Sequence, residues 1–76
     1  MKWHHVRPFF EALWFDLGPR EINRRSGVSM GALYDLMNGV TRQPASRTMR
    51  DIMDAHRARQ AEVSETERGA GVGIGR

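Results

Sequence analysis

The number and distribution of arginines in this sequence favour contact with anions. Eleven of the twelve basic residues are arginine, and a planar guanidinium matches the geometry of phosphate oxygens and guanine edges. From Arg20 to Arg50 six arginines outnumber two acids, a local charge of +4, whereas from Asp51 to Glu67 five acids outnumber two arginines, a local charge of −3. We therefore expect one end of the protein to face a polyanion.

The other reactive side chains form no catalytic or metal-binding set. The chain has no cysteine, which excludes disulfides and thiolate metal sites. His4 and His5 are adjacent, point apart and have no third ligand near in sequence, and His56 lies at a helical core spacing. No stretch combines a nucleophile, a base and an oxyanion site, and the glycines near the C-terminus lack the Lys-Ser/Thr of a phosphate loop. We expect no enzyme activity, cofactor, metal or small-molecule ligand.

Length and hydropathy limit the architecture. A chain of 76 residues with a net charge of +3 has room for one domain, and so small a core is often supplemented by oligomerisation. The apolar run from Phe9 to Leu17 is interrupted by two acids and is shorter than the roughly 20 residues of a membrane span. It also lacks the layout of a signal peptide. We expect a cytoplasmic protein without membrane contact.

Two helices are predicted before residue 26. Pro8 suits the first turn of a helix that runs to about Leu17, since its missing N–H has no partner there anyway. Met1 to His5 would then be an irregular lead. Gly18 and Pro19 begin the second helix, which ends near Arg25. The apolar residues of the first helix fall on one broad arc: Val6, Phe10, Leu13, Trp14 and Leu17.

A sharp turn is predicted at Gly27, between the second helix and a third one from Met30 to Met37. Glycine adopts positive φ without steric cost, and Ser29 offers a hydroxyl to cap the third helix. When two such helices cross steeply, four apolar residues converge on one small core: Ile22, Val28, Leu33 and Leu36. The pattern is that of a helix-turn-helix.

A fourth helix follows a polar loop. Asn38-Gly39 ends the third helix in the manner of a left-handed cap, and Ser46 can cap the next helix. That helix repeats apolar residues at helical spacing up to His56 and ends near Glu62. The last eight residues contain four glycines, which do not support a stable helix. We expect a domain over residues 6–62 and a disordered, flexible tail over residues 63–76.

One stretch also matches a family pattern. It consists of SGVSMGALYDLMNG, from Ser26 to Gly39, followed by Pro44, Thr48 and Ile52. In these residues the chain resembles the lambda-repressor-like DNA-binding domains of the Cro/C1 type, over roughly half of its length. The resemblance implies a compact all-α domain of four to five helices, in which the third helix enters the major groove of duplex DNA.

Two residues depart from the family pattern. Asn23 stands where the family usually has alanine between the two helices, and Ser26 stands where it usually has a larger apolar residue. A buried asparagine without partners costs about 1 to 3 kcal/mol. Asn23 must therefore hydrogen-bond locally, or the helices must sit slightly differently.

The resemblance assigns residues to the DNA interface. Four residues at the start of the third helix would contact the DNA bases: Ser29, Met30, Gly31 and Tyr34. Asp35 lies in the same helix but is better explained as an exposed charge. Met30 and Tyr34 either touch DNA or occupy an exposed helix face. Arg24, Arg25, Arg47 and Arg50 contact phosphates or form a solvated basic face. The proposed backbone contacts are Arg20, Asn38, Thr41, Arg42 and Gln43.

Aromatic residues crowd the first fifteen positions, and so small a domain cannot easily bury all of them. Phe15 falls off the apolar arc. It is either simply exposed or, as we favour, part of a homodimer interface together with Trp3. One helix-turn-helix touches few base pairs, and such proteins usually bind half-sites as dimers.

The sequence and the resemblance together predict a sequence-specific regulator of transcription that binds double-stranded DNA. A small phage-type or autoregulatory repressor that blocks an operator as a dimer, in the cytoplasm of a bacterium or phage-infected cell, is the favoured function. An antitoxin or a recombination accessory protein is one alternative. A protein-binding adaptor that uses the apolar first helix and the acidic C-terminal helix is another.

Overall fold

The protein folds into helices connected by short turns. The computed structural model describes the backbone of residues 1–74 and the side chains of residues 1–66. Within that part of the chain, four helices and no strand occur: α1 (Trp3–Leu17), α2 (Pro19–Ser26), α3 (Met30–Met37) and α4 (Ser46–Ile74). The predicted all-α class is confirmed. None of the described helices combines the length and hydropathy needed to cross a membrane.

The first helix begins earlier than the sequence predicted. It starts at Trp3, so Pro8 lies in its interior and the expected irregular lead is wrong. Pro8 cannot donate a hydrogen bond to the carbonyl of His4. Burial compensates for that loss, because Trp3 and Val6 are 5% and 2% exposed. Their packing keeps the turns before Pro8 helical.

Glycine at positive φ separates the first two helices. Gly18 has a φ of 84°, and its N–H donates to the carbonyl of Trp14 at 2.9 Å. Pro19 follows at the first position of α2, where its missing N–H costs nothing. The predicted boundary between α1 and α2 is confirmed.

The turn between α2 and α3 is fixed by its backbone and by two polar side chains. Gly27 is left-handed, with a φ of 77°, and its N–H donates to the carbonyl of Asn23. Asn23 Nδ2 donates to the carbonyl of Val28 at 2.7 Å. Ser26 Oγ donates to the carbonyl of Ile22 and accepts from the N–H of Val28. The two residues that depart from the family pattern therefore hydrogen-bond locally, and both are only partly buried.

Both ends of α3 agree with the sequence prediction. Ser29 Oγ accepts from the N–H of Ala32 at 3.2 Å and caps the helix. At the other end Gly39 has a φ of 76°, and the N–H of Val40 donates to the carbonyl of Asp35 at 2.8 Å. This is the Schellman arrangement, which satisfies carbonyls that the helix leaves open.

The fourth helix differs from the prediction at both ends. Ala45 is its N-cap, because its carbonyl accepts from the N–H of Met49, so Ser46 is the first helical residue and not the cap. The helix also continues past Glu62, where we expected it to end. The residues before this point, 57–62, are all strong helix formers, whereas the extension contains β-branched residues and glycines that favour a helix less. The disordered tail expected over residues 63–76 is not confirmed, because α4 extends to Ile74; residues 75–76 lie outside the described backbone.

The core lies where α1, α2 and α4 meet, with α3 packed on α2. The four residues expected to converge around the turn are all buried, as are Met49 and Ile52 of the apolar repeat on α4. Burying a large aliphatic or aromatic side chain contributes about 1.5 to 3 kcal/mol. The buried apolar residues are Trp3, Val6, Phe10, Leu13, Ile22, Val28, Leu33, Leu36, Met49, Ile52 and Ala55.

Substituting the turn glycine should destabilise the fold through its backbone alone. A Cβ at Gly27 would meet nothing within 4 Å, but the φ of 77° disfavours any L side chain. We expect Gly27→Ala to lower the free energy of unfolding by about 1 to 2 kcal/mol, measured by urea denaturation.

Gly31→Ala is the matched control, because a Cβ there also meets nothing within 4 Å and its φ is ordinary. This variant should be neutral or more stable by at most about 1 kcal/mol. Equal losses in the two variants would contradict a special backbone requirement at Gly27.

Candidate nucleic-acid interface

The outward side of α3 forms a continuous exposed face. Gly31, Tyr34, Asp35 and Asn38 are all exposed and follow one another at intervals of three, one and three residues. This spacing places them on one side of a helix. Ser29 is exposed just before the helix. Four of the residues assigned to DNA are therefore accessible together, and we call this set, with Asp35, the α3 face.

Two residues of α3 are also held by the core. Met30 is only partly exposed and packs against the buried cluster, so little of it remains for a groove contact. Tyr34 is 46% exposed, and its ring meets that of Trp14 edge to face with centroids 5.2 Å apart. Such aromatic pairs contribute about 0.5 to 1.5 kcal/mol beyond area burial. Tyr34 is thus both accessible and fixed in orientation.

Two arginines outside α3 are exposed and form no ion pair with the described side chains. Arg20 lies in the first turn of α2, and Arg42 lies in the loop after α3. The first turn of a helix carries partial positive charge from its open N–H groups, which adds to the charge of Arg20. Lys2, Arg47 and Arg50 are likewise exposed and outside the described ion pairs.

Arg24 and Arg25, in contrast, are engaged within the fold. Glu21 accepts hydrogen bonds from both arginines, and Arg25 also binds both carboxylate oxygens of Glu62 on α4. The local +4 of the sequence therefore overstates the charge available to a partner. The Glu21 contacts follow helical spacing and are visible in the sequence, whereas Glu62 lies 37 residues from Arg25 and is not.

A second long-range ion pair joins the first and last helices. Arg59 Nε donates to Asp16 Oδ2 at 2.8 Å, and Arg59 also lies 3.6 Å from Glu62. Asp16, Arg59, Glu62, Arg25 and Glu21 thus form a chain of charges across α1, α4 and α2, which we call the ion-pair chain. The side chains of its two arginines are 29% and 20% exposed, so solvent screens them only in part.

The ion-pair chain changes the protonation of its acids. Hydrogen bonds from Arg24 and then Arg25 lower the pKa of Glu21 to about 2. The guanidinium of Arg59 lowers the pKa of Asp16, and that of Arg25 lowers the pKa of Glu62. Each carboxylate is stabilised in its charged form.

The three predicted DNA contacts in the loop after α3 differ in their exposure and in their contacts with the rest of the fold. Thr41 is partly buried, and Arg42 is exposed. Gln43 has a structural contact, because its Oε1 accepts from the N–H of Trp3 at 3.2 Å and its Nε2 lies 3.8 Å from Met49 Sδ. Gln43 therefore holds the start of α1.

The residues expected at a subunit interface do not form one surface. Phe15 is 81% exposed, as that expectation requires. Trp3 is buried and its ring packs 5.4 Å from that of Phe10, so its predicted exposure is wrong. Phe15 lies twelve positions after Trp3 on the same helix, a distance of about 18 Å. Phe9, 41% exposed, packs against the ring of His56.

Comparison with known proteins identifies no relative of this chain. No protein-family model, no curated protein and no solved structure gives a significant match to the chain.

Acid should weaken the fold through Glu21. Its pKa is about 2 in the folded protein against an ordinary 4.5, so the unfolded chain binds more protons there. Its stabilising contribution is present above pH 4.5 and is lost as the pH falls towards 2. In urea denaturation across this range, Glu21→Gln should show a flatter dependence of unfolding free energy on pH.

Asp35→Asn provides the control, because Asp35 is exposed and pairs with none of the described cations. Its pH dependence should stay close to that of the unsubstituted protein. A steep acid loss that persists in Glu21→Gln would show that other carboxylates carry the effect.

Proposed function

We propose that the protein binds duplex DNA through the α3 face and regulates transcription. The observation that carries this proposal is the exposed α3 face. It lies on a helix whose orientation relative to α2 is fixed by the turn at Gly27. A helix presented in this way fits the width of the major groove. In this proposal the protein is a lambda-repressor-like domain and not an enzyme.

The chemistry of the α3 face suits close approach to base edges. Gly31 has no side chain and no atom near the position of a Cβ, so the helix backbone can come near the groove floor. Asn38 offers both a donor and an acceptor, the combination that reads adenine. Tyr34 offers a hydroxyl from a ring that Trp14 holds in place. Specificity then rests on shape and on few hydrogen bonds.

Affinity in this proposal comes from arginines beside α3. Arg20 and Arg42 are exposed and are not committed to the described acids. Phosphate contacts of this kind position a protein on DNA without reading sequence. Arg25 is 20% exposed and bound to two carboxylates, so it is less available to a phosphate than Arg24, which stays 69% exposed beside Glu21.

We further propose that the protein acts as a homodimer in the cytoplasm, as a small phage-type or autoregulatory repressor that occupies an operator. Two copies related by a two-fold axis would place two α3 helices on half-sites one turn apart. Phe15 is the apolar side chain most available for that contact.

A protein-binding adaptor is the second candidate, and a specific observation favours it. Asp35 is the only charged residue of the α3 face and repels phosphates. Phe15, exposed on α1, is a separate apolar feature, and the two together suit a partner that is both basic and apolar. This candidate predicts no affinity for DNA at low salt.

Salt dependence separates these two candidates. Binding of a mixed-sequence duplex should weaken steeply as salt rises, and Arg42→Ala should reduce the slope of log affinity against log salt by about one. Arg57→Ala removes another exposed arginine, on α4, that contacts Asp54, and it should leave the slope unchanged. Fluorescence anisotropy measures both. Equal slopes for Arg42→Ala and the unsubstituted protein would remove Arg42 from the interface.

Sedimentation tests the role of Phe15. A charged side chain at the centre of an apolar contact is costly to bury, so Phe15→Glu should convert a dimer into a monomer. Ala61→Glu introduces the same charge at an exposed position of α4 and should remain dimeric. An unchanged mass for Phe15→Glu would exclude this residue from the interface.

A further inference from the structure

A cleft separates the start of α1 from the loop that follows α3. It encloses about 270 Å³. Two segments far apart in sequence form its walls, so it exists only in the folded chain. Its lining residues are Trp3, His4 and Arg7 on α1 and Gly39, Thr41, Arg42 and Gln43 on the loop.

The lining of this cleft favours an anion. It includes two arginines and a histidine and no carboxylate. Arg7 Nε donates to Glu11 Oε2 at 3.3 Å, an ion pair one turn further along α1 that offsets part of the Arg7 charge and orients its side chain. The two terminal amino groups of Arg7 have no partner among the described side chains. Thr41 adds a hydroxyl to the lining, and a hydroxyl can donate to a phosphate oxygen.

The two walls of the cleft are tied together. The N–H of Trp3 donates to Gln43 Oε1 at 3.2 Å, which is a direct bond from one wall to the other. Trp3 is itself 5% exposed, so this wall is anchored in the core. Gly39 ends α3 at a φ of 76° and directs the loop towards α1. Because the site is preorganised, little conformational entropy is lost when an anion binds.

We propose that this cleft binds one phosphate of the DNA backbone, with Arg7 of α1 and Arg42 of the loop on the same phosphate. Thr41 and His4 complete the lining. The interface thereby extends onto α1, beyond the α3 face and its loop. This inference rests on the proposed function and adds a phosphate position to it.

A double-substitution cycle tests the shared phosphate. Affinity for a mixed-sequence duplex is measured by fluorescence anisotropy over a salt series for the unsubstituted protein, Arg7→Gln, Arg42→Gln and the double variant. Each single substitution should weaken binding by about five- to tenfold. The double variant should weaken it by clearly less than the product of the two, since groups that share a partner are not additive. Its salt slope should fall by about one and not two.

Two controls separate this effect from other causes. Arg57→Gln removes an exposed arginine that does not line the cleft, and it should bind like the unsubstituted protein. Circular dichroism during thermal unfolding establishes that each variant is folded, since Arg7 also contacts Glu11.

The possible failures are distinguishable. If Arg7→Gln binds like Arg57→Gln while Arg42→Gln is weakened, the cleft is not a phosphate site and the proposed function stands. Additive losses would mean two separate phosphates and would overturn the shared site. If the unsubstituted protein binds no duplex at low salt, both proposals fail.

Discussion

The left-handed turn at Gly27 is the constraint on which the α3 face depends. Glycine permits the backbone to reverse there, and Asn23 and Ser26 hold the reversed segment by hydrogen bonds to Val28. Because these bonds satisfy polar groups that the turn would otherwise leave open, the angle between α2 and α3 is fixed. Burial of Leu33 then turns the opposite side of α3 to solvent.

Charge in this protein has two separate roles. The ion-pair chain uses arginine to hold α4 against α1 and α2, through Arg59 with Asp16 and Arg25 with Glu62. Exposed pairs contribute little each, but a connected set with bidentate geometry contributes more. The arginines left outside it, among them Arg20 and Arg42, are those available to a polyanion. Net charge is therefore a poor guide to where a partner binds.

Sequence patterns correctly predicted the features that depend only on neighbouring residues. The limits of α3 follow from Ser29 and Gly39, and the turn follows from Gly27, because capping and positive φ depend on neighbouring residues. The sequence predicted an irregular segment at Trp3, whereas α1 begins there, because tertiary packing keeps the residues before Pro8 helical. The bond between Arg25 and Glu62 joins distant segments, so spacing could not indicate it. Of the proposed DNA contacts, the exposure of Gly31 and Tyr34 was predictable, whereas the packing of Met30 against the core and the structural bond of Gln43 were not.

Contact between the α3 face and duplex DNA, as proposed, is detectable by a residue-resolved titration. Two-dimensional amide NMR spectra are recorded while a mixed-sequence duplex is added at low salt. We expect the largest signal changes on Gly31, Tyr34, Asn38 and the loop containing Arg42. Changes confined to the surface around Phe15, or no change at any duplex concentration, would contradict the proposed contact.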